Sequence, residues 1–199
     1  MSKSIMLSIR PKWCEKIVNG EKTIEVRKTR PKLQTPFKCY IYCSAGGDKL
    51  WVRDAAWRER WMNGPIAFLV NAKDCGEMNL GNGRIIGEFT CDRIYELAPL
   101  NHAPDDVEKQ ACLTREEIVN YLKGTGYGWH ISDLKIYDAP KKLREFWRDC
   151  LEYSELSTNC WSCENVCGDG DETDCNTDGR LYLHRPPQSW CYVDDVQAK

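Results

Sequence analysis

The sequence lacks a long hydrophobic run. Its first eleven residues interleave apolar side chains with Ser, Lys and Arg, so they contain no apolar stretch of the length that a signal peptide has. No other segment approaches the roughly 20 apolar residues that a membrane-spanning helix needs. We therefore expect a cytoplasmic protein with no membrane association.

The sequence also lacks an excess of charge of one sign. Its 199 residues carry 28 Lys and Arg against 30 Asp and Glu, which excludes a uniformly basic surface. The distribution is uneven, because residues 1–32 hold nine Lys or Arg against three Glu, while residues 164–178 hold six Asp or Glu and no Lys or Arg. A local anion-binding face is therefore compatible with the overall charge.

No internal repeat or low-complexity tract occurs before residue 150. What the chain does contain is enough material for a core, since hydrophobic residues make up 42% and include eight Trp and nine Tyr. The length favours one domain with an appendage. We predict a domain over residues 1–148 and a Cys-rich extension over 149–199, of which 185–194 are expected to return to the domain as a strand.

The amino-terminal pattern predicts a strand, a helix and a second strand. A short apolar strand over 6–9 precedes a helix that begins at Pro11 and ends near residue 19, where Gly20 supplies a left-handed exit. Residues 23–27 then alternate like a half-buried strand, with Ile24 and Val26 facing inward. Glu25 and Arg27 consequently share the opposite face, and Lys22 lies at the entrance of the strand.

The rest of the domain reads as short strands with helices in the connections. Strands are predicted over 38–43, 66–71, 84–97 and 131–137, with a bulge or bend at Gly87. Helices are predicted over 114–124, opened by a capping box and with Tyr121 on the buried stripe, and over 140–147; residues 48–62 fit a helix or an irregular insertion. Too few crossover helices occur for a parallel sheet, so the class predicted is α+β, built as a small mixed β-barrel with flanking helices.

Three strings in this order are informative beyond periodicity: Leu7-Ser8-Ile9, Pro11-Lys12-Trp13 and Gly20-x-Lys22-x-x-Glu25-x-Arg27. Together they resemble the opening of the ASCH domain (activating signal cointegrator homology), a relative of the PUA RNA-binding fold. The predicted strand over 84–97 and the string Tyr-Gly-Trp-His-Ile over 127–131 are also similar to that family, and the resemblance covers roughly residues 4–148. It points to a bacterial or phage-type member with a Cys-rich C-terminal extension.

The resemblance implies a PUA-like barrel with a basic cleft that binds RNA or a modified nucleoside. The candidate binding residues are Lys22, Glu25, Arg27, Lys28, Trp129 and His130. Lys22 offers a compact cation, Arg27 a planar fork for phosphate, and Trp129 a stacking surface. As a pattern alone, the charged residues fit a surface ion-pair cluster equally well.

Two other classes of function are open. Some bacterial relatives are amidohydrolases that act on N4-acetylcytidine with a Lys, a Thr and a Glu; Lys22 matches the first, but Glu25 occupies the place of the Thr. Thr23 lies two residues away, roughly 6.6 Å along a strand, and Glu108 is a loose match for the late Glu. A ribonuclease could instead use Lys22, Glu25 and His130 as acid–base groups. The third class is a protein-interaction module.

The C-terminal extension contains a cysteine cluster: Cys160, Cys163, Cys167 and Cys175. Four thiolates in a Gly- and Asp-rich loop can hold a structural zinc ion, and Cys150, His184 or Cys191 could replace any of the four. A mobile acidic loop with free thiols fits the same composition. No other cofactor is required by the sequence.

Overall fold

A five-stranded sheet forms the centre of the computed structural model, which describes residues 3–60, 64–97, 103–149 and 180–194. The described strands are β1 (Lys3–Ile9), β2 (Ile24–Arg27), β3 (Phe37–Cys43), β4 (Leu50–Arg53), β5 (Ala67–Leu69), β6 (Met78–Leu80), β7 (Arg84–Cys91), β8 (Ile94–Glu96), β9 (Tyr127–His130), β10 (Ser132–Lys141), β11 (Trp147–Asp149), β12 (Arg180–Tyr182) and β13 (Trp190–Asp194). The helices are α1 (Pro11–Val18), α2 (Ala55–Arg60), α3 (Val107–Ala111) and α4 (Arg115–Leu122), with a 3-10 turn at Leu143–Glu145.

The central sheet has the strand order β10-β7-β3-β1-β13. Only the β1–β3 pair is parallel among these neighbours; the other three pairs are antiparallel. Alternation along β1 divides the core, because Ile5, Leu7 and Ile9 face one side and Met6 faces the other. Helix α1 packs Cys14 and Ile17 on the first side, so it covers the face of β1 that carries Ile5, Leu7 and Ile9.

A second sheet has the order β2-β9-β8, and all four residues of β2 are buried. Ile24 and Val26 pack into a cluster with residues of α3 and α4. Glu25 and Arg27 therefore face the other way, toward β1 and α1, as the alternation in the sequence predicts. Two smaller sheets, β5-β4-β6 and β11-β12, complete the described part of the chain.

The α+β class is confirmed, with many strands and few helices. The capping box is present, with Glu117 N donating to Thr114 Oγ and Thr114 N donating to Glu117 Oε2. Gly20 has φ 75°, as predicted for the exit from α1. A register shift lies opposite Gly87, between Ile41 and Tyr42 of β3. Among the described residues the sheets do not join into a closed barrel.

Several predicted elements are wrong in extent or type. Residues 84–97 form two strands in different sheets, β7 and β8, rather than one. The helix predicted over 140–147 is reduced to the 3-10 turn at Leu143–Glu145, because β10 continues through Pro140 to Lys141. Since β10 is an edge strand, a proline there costs little in ladder hydrogen bonds. Residues 50–53 form strand β4, and α2 accounts for only six residues of the segment 48–62.

The C-terminal strand β13 pairs antiparallel with β1, so residues 190–194 join the central sheet. The four clustered cysteines, Cys160, Cys163, Cys167 and Cys175, lie outside the described residues, and the zinc prediction and the boundary at residue 148 stay predictions. Within the described ranges, no set of three His, Cys, Asp or Glu side chains is placed to hold a metal ion. The described helices include none that is long and apolar enough to cross a membrane.

Candidate functional site

A cavity of about 440 Å³ opens where α1, β2, α4 and the segment before β13 meet. We call it the cleft. Its charged lining consists of Lys22, Glu25, Arg27 and Arg10; Trp13, Tyr121 and Leu113 are among its apolar walls, and Ser8, Ser44 and Gln188 add polar groups. Three of the six predicted binding residues therefore meet in one cavity.

Lys22, Glu25 and Arg27 are all buried, with 3%, 6% and 5% of their surface exposed. Burying charge is costly unless each charge has a partner. The three side chains supply that partner among themselves, because Glu25 lies between the two cations. The three side chains therefore form a buried ion-pair cluster and not the exposed one that the pattern alone also allowed.

Lys22 is held by three contacts. Its Nζ donates a hydrogen bond of 2.7 Å to the carbonyl oxygen of Ala111, at the end of α3. The same atom lies 3.5 Å from Glu25 Oε2 and 5.2 Å from the centroid of the Trp13 ring. An ammonium group has three N–H bonds, so Ala111 leaves the group able to donate to Glu25 and to a ligand in the cleft.

The two carboxylate oxygens of Glu25 face different cations. Its Oε1 lies 3.0 Å from the NH2 nitrogen of Arg27. Its Oε2 is buried and has no hydrogen-bond partner among the described residues, although Lys22 is close enough to attract it electrostatically. A buried carboxylate oxygen without a hydrogen-bond donor is costly, and the attraction of the Lys22 ammonium group, 3.5 Å away, offsets part of that cost.

Arg27 is mostly committed to the protein. Its NH1 nitrogen contacts the carbonyl oxygen and the Oγ of Ser189, at 3.3 and 3.2 Å, and its NH2 nitrogen donates to the carbonyl oxygen of Ser8 at 2.9 Å. Its Nε is buried without a partner in the described part of the chain. Arg27 thus fixes Glu25 and the segment before β13, and the predicted free phosphate fork is occupied by main-chain and Ser acceptors.

Two aromatic rings flank these charges. Trp13 is half-buried in α1, and Tyr121 on α4 is 45% exposed. Tyr121 does not belong to the buried stripe of α4, which Ile118 and Leu122 form instead. The sequence analysis assigned neither ring to the site, although Trp13 stands in the Pro11-Lys12-Trp13 string. Lys28, a predicted binding residue, is exposed, and its Nζ lies 5.3 Å from the Tyr121 ring.

Trp129 cannot stack on a ligand because it is completely buried. It faces the core side of β9, with its ring 5.8 Å from Phe37 and 6.0 Å from Trp190 between centroids. The predicted strand began at residue 131 and so left Trp129 outside it, and the sequence could not show that Trp190, sixty-one residues later, packs against this ring.

His130, predicted to lie beside Lys22 and Glu25, is not among the residues that line the cleft. Its Nδ1 is 2.6 Å from Asp92 Oδ1. Burial acts to raise the pKa of Asp92, but the hydrogen bond and charge of His130 outweigh burial and lower that pKa. The pair fits a structural contact between β9 and the β7–β8 turn.

The residues considered for amide hydrolysis also lie apart from Lys22. Thr23 directs its hydroxyl to Gln110 Oε1, at 3.3 Å, and is absent from the cleft lining. Glu108 is exposed, and its Oε1 accepts a hydrogen bond of 2.6 Å from the backbone N–H of Arg115. Neither side chain completes a Lys–Thr–Glu set around the cleft.

Comparison with known proteins places these motifs in a family. The ASCH domain profile matches residues 7–168. Similar solved structures include ASCH from Zymomonas mobilis, at 14% identity and TM-score 0.46 over 96% of this chain and 87% of that chain. Structures of two single-site variants of the same protein are similar to the same degree. The Tyr-to-Phe variant has 14% identity and a TM-score of 0.46 over 97% of this chain and 91% of that chain. The Ser-to-Ala variant has 13% identity and a TM-score of 0.46 over 96% of this chain and 88% of that chain.

No curated protein sequence matches this chain. The profile match spans well over half of the 199 residues and includes the complete Gly20-x-Lys22-x-x-Glu25-x-Arg27 string. The chain belongs to the ASCH domain family.

Proposed function

We propose that this protein binds RNA or a modified nucleoside, with one base or nucleotide unit inserted into the cleft. The observation that carries the proposal is the pairing of Lys22 and Glu25, both buried, at the bottom of a cavity that two aromatic rings flank. Structural ion pairs do not require an adjoining cavity, whereas a binding site does.

The size of the cleft suits a single unit of a nucleic acid. Small-molecule sites enclose roughly 300–1,000 Å³, and the cleft, at about 440 Å³, falls in the lower part of that range. A base pair or a stacked helix would not enter. The ligand must therefore present an unpaired base, as single-stranded nucleic acids and free nucleosides do.

The polar groups suit the edge of a base. Lys22 can donate, and the Oε2 of Glu25, which has no hydrogen-bond donor among the described residues, can accept, so the pair can bind a ligand edge that places an acceptor beside an N–H donor. Nucleobases have such edges. Lys22 and Arg27 together exceed the charge of Glu25 by one, and Arg10 adds another positive charge at the lining, so an anionic ligand is favoured.

The aromatic walls suit the face of a base. Stacking of a base on an aromatic side chain contributes roughly 1–3 kcal/mol. Trp13 and Tyr121 both line the cleft, and Tyr121 is exposed enough to receive a ring. These two rings take the role that the sequence analysis gave to Trp129.

Binding of the four nucleosides, their monophosphates and N4-acetylcytidine, followed by calorimetry and by the intrinsic tryptophan fluorescence of the protein, tests the proposal. Lys22→Met keeps the length of the side chain and removes its charge, and we expect it to weaken binding at least tenfold. Lys141→Met is the matched control, since Lys141 also lies over an aromatic ring, that of Tyr137, but does not line the cleft. Equal binding by the wild type and a folded Lys22→Met variant would contradict the proposal.

Hydrolysis of the bound ligand is a second candidate. The observation in its favour is the 3.5 Å separation of Lys22 Nζ and Glu25 Oε2 in the lining of the cleft, where two groups can exchange a proton with a substrate. Release of acetate from N4-acetylcytidine, or cleavage of a single-stranded RNA, by the wild type and not by Lys22→Ala would establish this activity. Binding without turnover of either substrate class would reject it.

A further inference from the structure

We propose that the natural ligand of the cleft is one nucleotide of a single-stranded polynucleotide, whose neighbouring phosphates bind four exposed cations around the cleft. These residues, which we call the cationic rim, are Arg10, Lys12, Lys28 and Arg30. The inference rests on the proposed function and decides between its two ligand classes in favour of a strand.

Two of the rim cations lie over rings that line the cleft. Lys12 Nζ is 4.9 Å from the centroid of Trp13, and Lys28 Nζ is 5.3 Å from that of Tyr121. Lys12 belongs to α1, whereas Lys28 directly follows β2, so the two cations approach from different elements. Arg10 lines the cleft itself.

Arg30 extends the rim beyond the cleft. Its guanidinium lies 5.6 Å from the ring of Tyr127, and Tyr127 is the partner of Arg27 in the β2–β9 ladder. A polynucleotide that leaves the cleft past Tyr121 and Lys28 therefore meets a further cation, Arg30, two residues after Lys28 in the protein.

The rim charges are not neutralised within the described part of the chain. All four residues are exposed, and none of them has a carboxylate oxygen within 4.0 Å among the described residues. Lys16 offers a contrast, because it pairs with Glu21 at 2.8 Å. A cation on a ring face is restrained in position while its N–H groups still face solvent, which suits contact with a phosphate.

One acidic side chain lies near the rim. The hydrogen bonds of Thr114 and, to a smaller extent, the charge of Lys12 lower the pKa of Glu117. The carboxylate of Glu117 accepts a hydrogen bond of 2.8 Å from the backbone N–H of Thr114 as part of the capping box of α4. That carboxylate is thus engaged by the helix end and does not form an ion pair with Lys12.

The number of cations exceeds what a nucleoside or a nucleoside monophosphate can use. A nucleoside has no phosphate and a nucleoside monophosphate has one, whereas four cations from two stretches of chain, residues 10–12 and 28–30, match several successive phosphates. Each phosphate neutralised releases counterions and makes the affinity depend on salt, with a slope of about −0.7 per contact on a single strand.

A length series tests the inference: a nucleoside, its monophosphate, the trinucleotide and the hexanucleotide of RNA, in each of the four base series, titrated at several salt concentrations. We expect the hexanucleotide to bind at least 100-fold more tightly than the monophosphate. The double variant Lys12→Gln with Lys28→Gln should weaken hexanucleotide binding at least tenfold and reduce the salt slope by about 1.4, because two phosphate contacts are lost. Its affinity for the monophosphate should change less than threefold, and Lys141→Gln should behave as the wild type.

The outcomes separate this inference from the proposed function. Equal affinity for the monophosphate and the hexanucleotide, both lost in Lys22→Met, would overturn the rim and leave the cleft function intact. An unchanged salt slope in the double variant would also overturn it. Failure of every ligand to bind would instead reject the proposed function itself.

Discussion

At the scale of single residues, the cleft depends on how Arg27 is used. Its guanidinium reaches Ser8, Ser189 and Glu25 at once, which a planar group with several N–H donors can do. The residue is 5% exposed, so these contacts replace water. Arg27 therefore acts as a positioning residue for the carboxylate of Glu25.

Arg27→Lys tests this role. A lysine keeps the charge but cannot reproduce the three separate contacts, so we expect the free energy of unfolding to fall by about 2 kcal/mol. Urea unfolding measures the change, and calorimetry should show weaker binding of the monophosphate because Glu25 Oε1 loses its partner. Arg30→Lys, at an exposed position, should alter stability by less than about 0.5 kcal/mol. Equal stability of the two variants would show that the Arg27 contacts are unimportant.

The described cysteines differ in burial, and we expect them to differ in reactivity as a result. Burial raises the pKa of the Cys14 and Cys39 thiols well above the ordinary value, and that of Cys91 to about 12. Cys75 and Cys112 are partly exposed. Since only the thiolate reacts, a raised pKa leaves the buried thiols protonated and slow at neutral pH.

We therefore expect iodoacetamide at pH 7.5 to modify Cys75 and Cys112 in the folded protein at least tenfold faster than Cys14, Cys39 and Cys91. Mass spectrometry of the digested protein gives the rate at each position. In urea all five should react at similar rates. Early modification of Cys14 in the folded state would contradict the buried position of this thiol.

The sequence predicted part of the cleft, and the reason is local. Alternation along residues 23–27 was sufficient to bring Glu25 and Arg27 to one face with Lys22 beside them. Whether a ring faces the cleft or the core depends on what packs against it from distant parts of the chain. The sequence analysis predicted Tyr121 to be buried and Trp129 to be open to a ligand, and the structure shows the reverse. Periodicity does not reveal which part of the fold α4 packs against, nor that Trp190 packs against Trp129.

At the scale of secondary structure elements, short-range signals were reliable and long-range pairing was not. The capping box of α4 and the exit of α1 at Gly20 involve contacts between residues close in sequence, and both are confirmed. The division of residues 84–97 between two sheets, by contrast, depends on the partners β3 and β9. The strand at Pro140 depends on being at an edge, which no local pattern reveals.

Gly87 gives an element-scale prediction. A Cβ at this position would lie 2.5 Å from the backbone carbonyl oxygen of Lys135 and 3.0 Å from Ile136 Cδ1. Because Lys135 is held in the β7–β10 ladder, its carbonyl cannot move away freely. We expect Gly87→Ala to lower the free energy of unfolding by about 2 kcal/mol.

Chemical unfolding of Gly87→Ala alongside Gly46→Ala measures this effect. A Cβ at Gly46 would meet nothing within 4 Å, so the control should stay close to the wild type. A Gly87→Ala variant as stable as the control would mean that β7 and β10 are not in close contact at this point.

At the scale of the whole molecule, the cleft joins the two ends of the described chain. Its charged floor comes from β2, and one wall comes from Gln188, immediately before β13. Ser8 Oγ donates to the carbonyl oxygen of Pro187 at 2.5 Å, and Ser8 N to that of Ser189 at 3.0 Å. The amino-terminal motif therefore cannot form the complete cleft until the C-terminal strand has paired with β1.

Trp190 is the side chain that makes this dependence testable. Its indole Nε1 donates to Thr29 Oγ1 at 3.0 Å, and its ring packs against Trp129 and Tyr192. Trp190→Ala removes these contacts from a half-buried position, so we expect a loss of about 2–3 kcal/mol in the free energy of unfolding. Since β13 also anchors the wall of the cleft, the monophosphate should bind at least fivefold more weakly at temperatures where the variant is folded.

Trp147→Ala is the matched control: Trp147 is also half-buried and packs against an aromatic ring, that of Tyr182, but lies outside the cleft lining. That variant should lose stability while keeping wild-type affinity for the monophosphate. If both variants bind with wild-type affinity, the C-terminal strand supports the fold alone and the cleft does not depend on it.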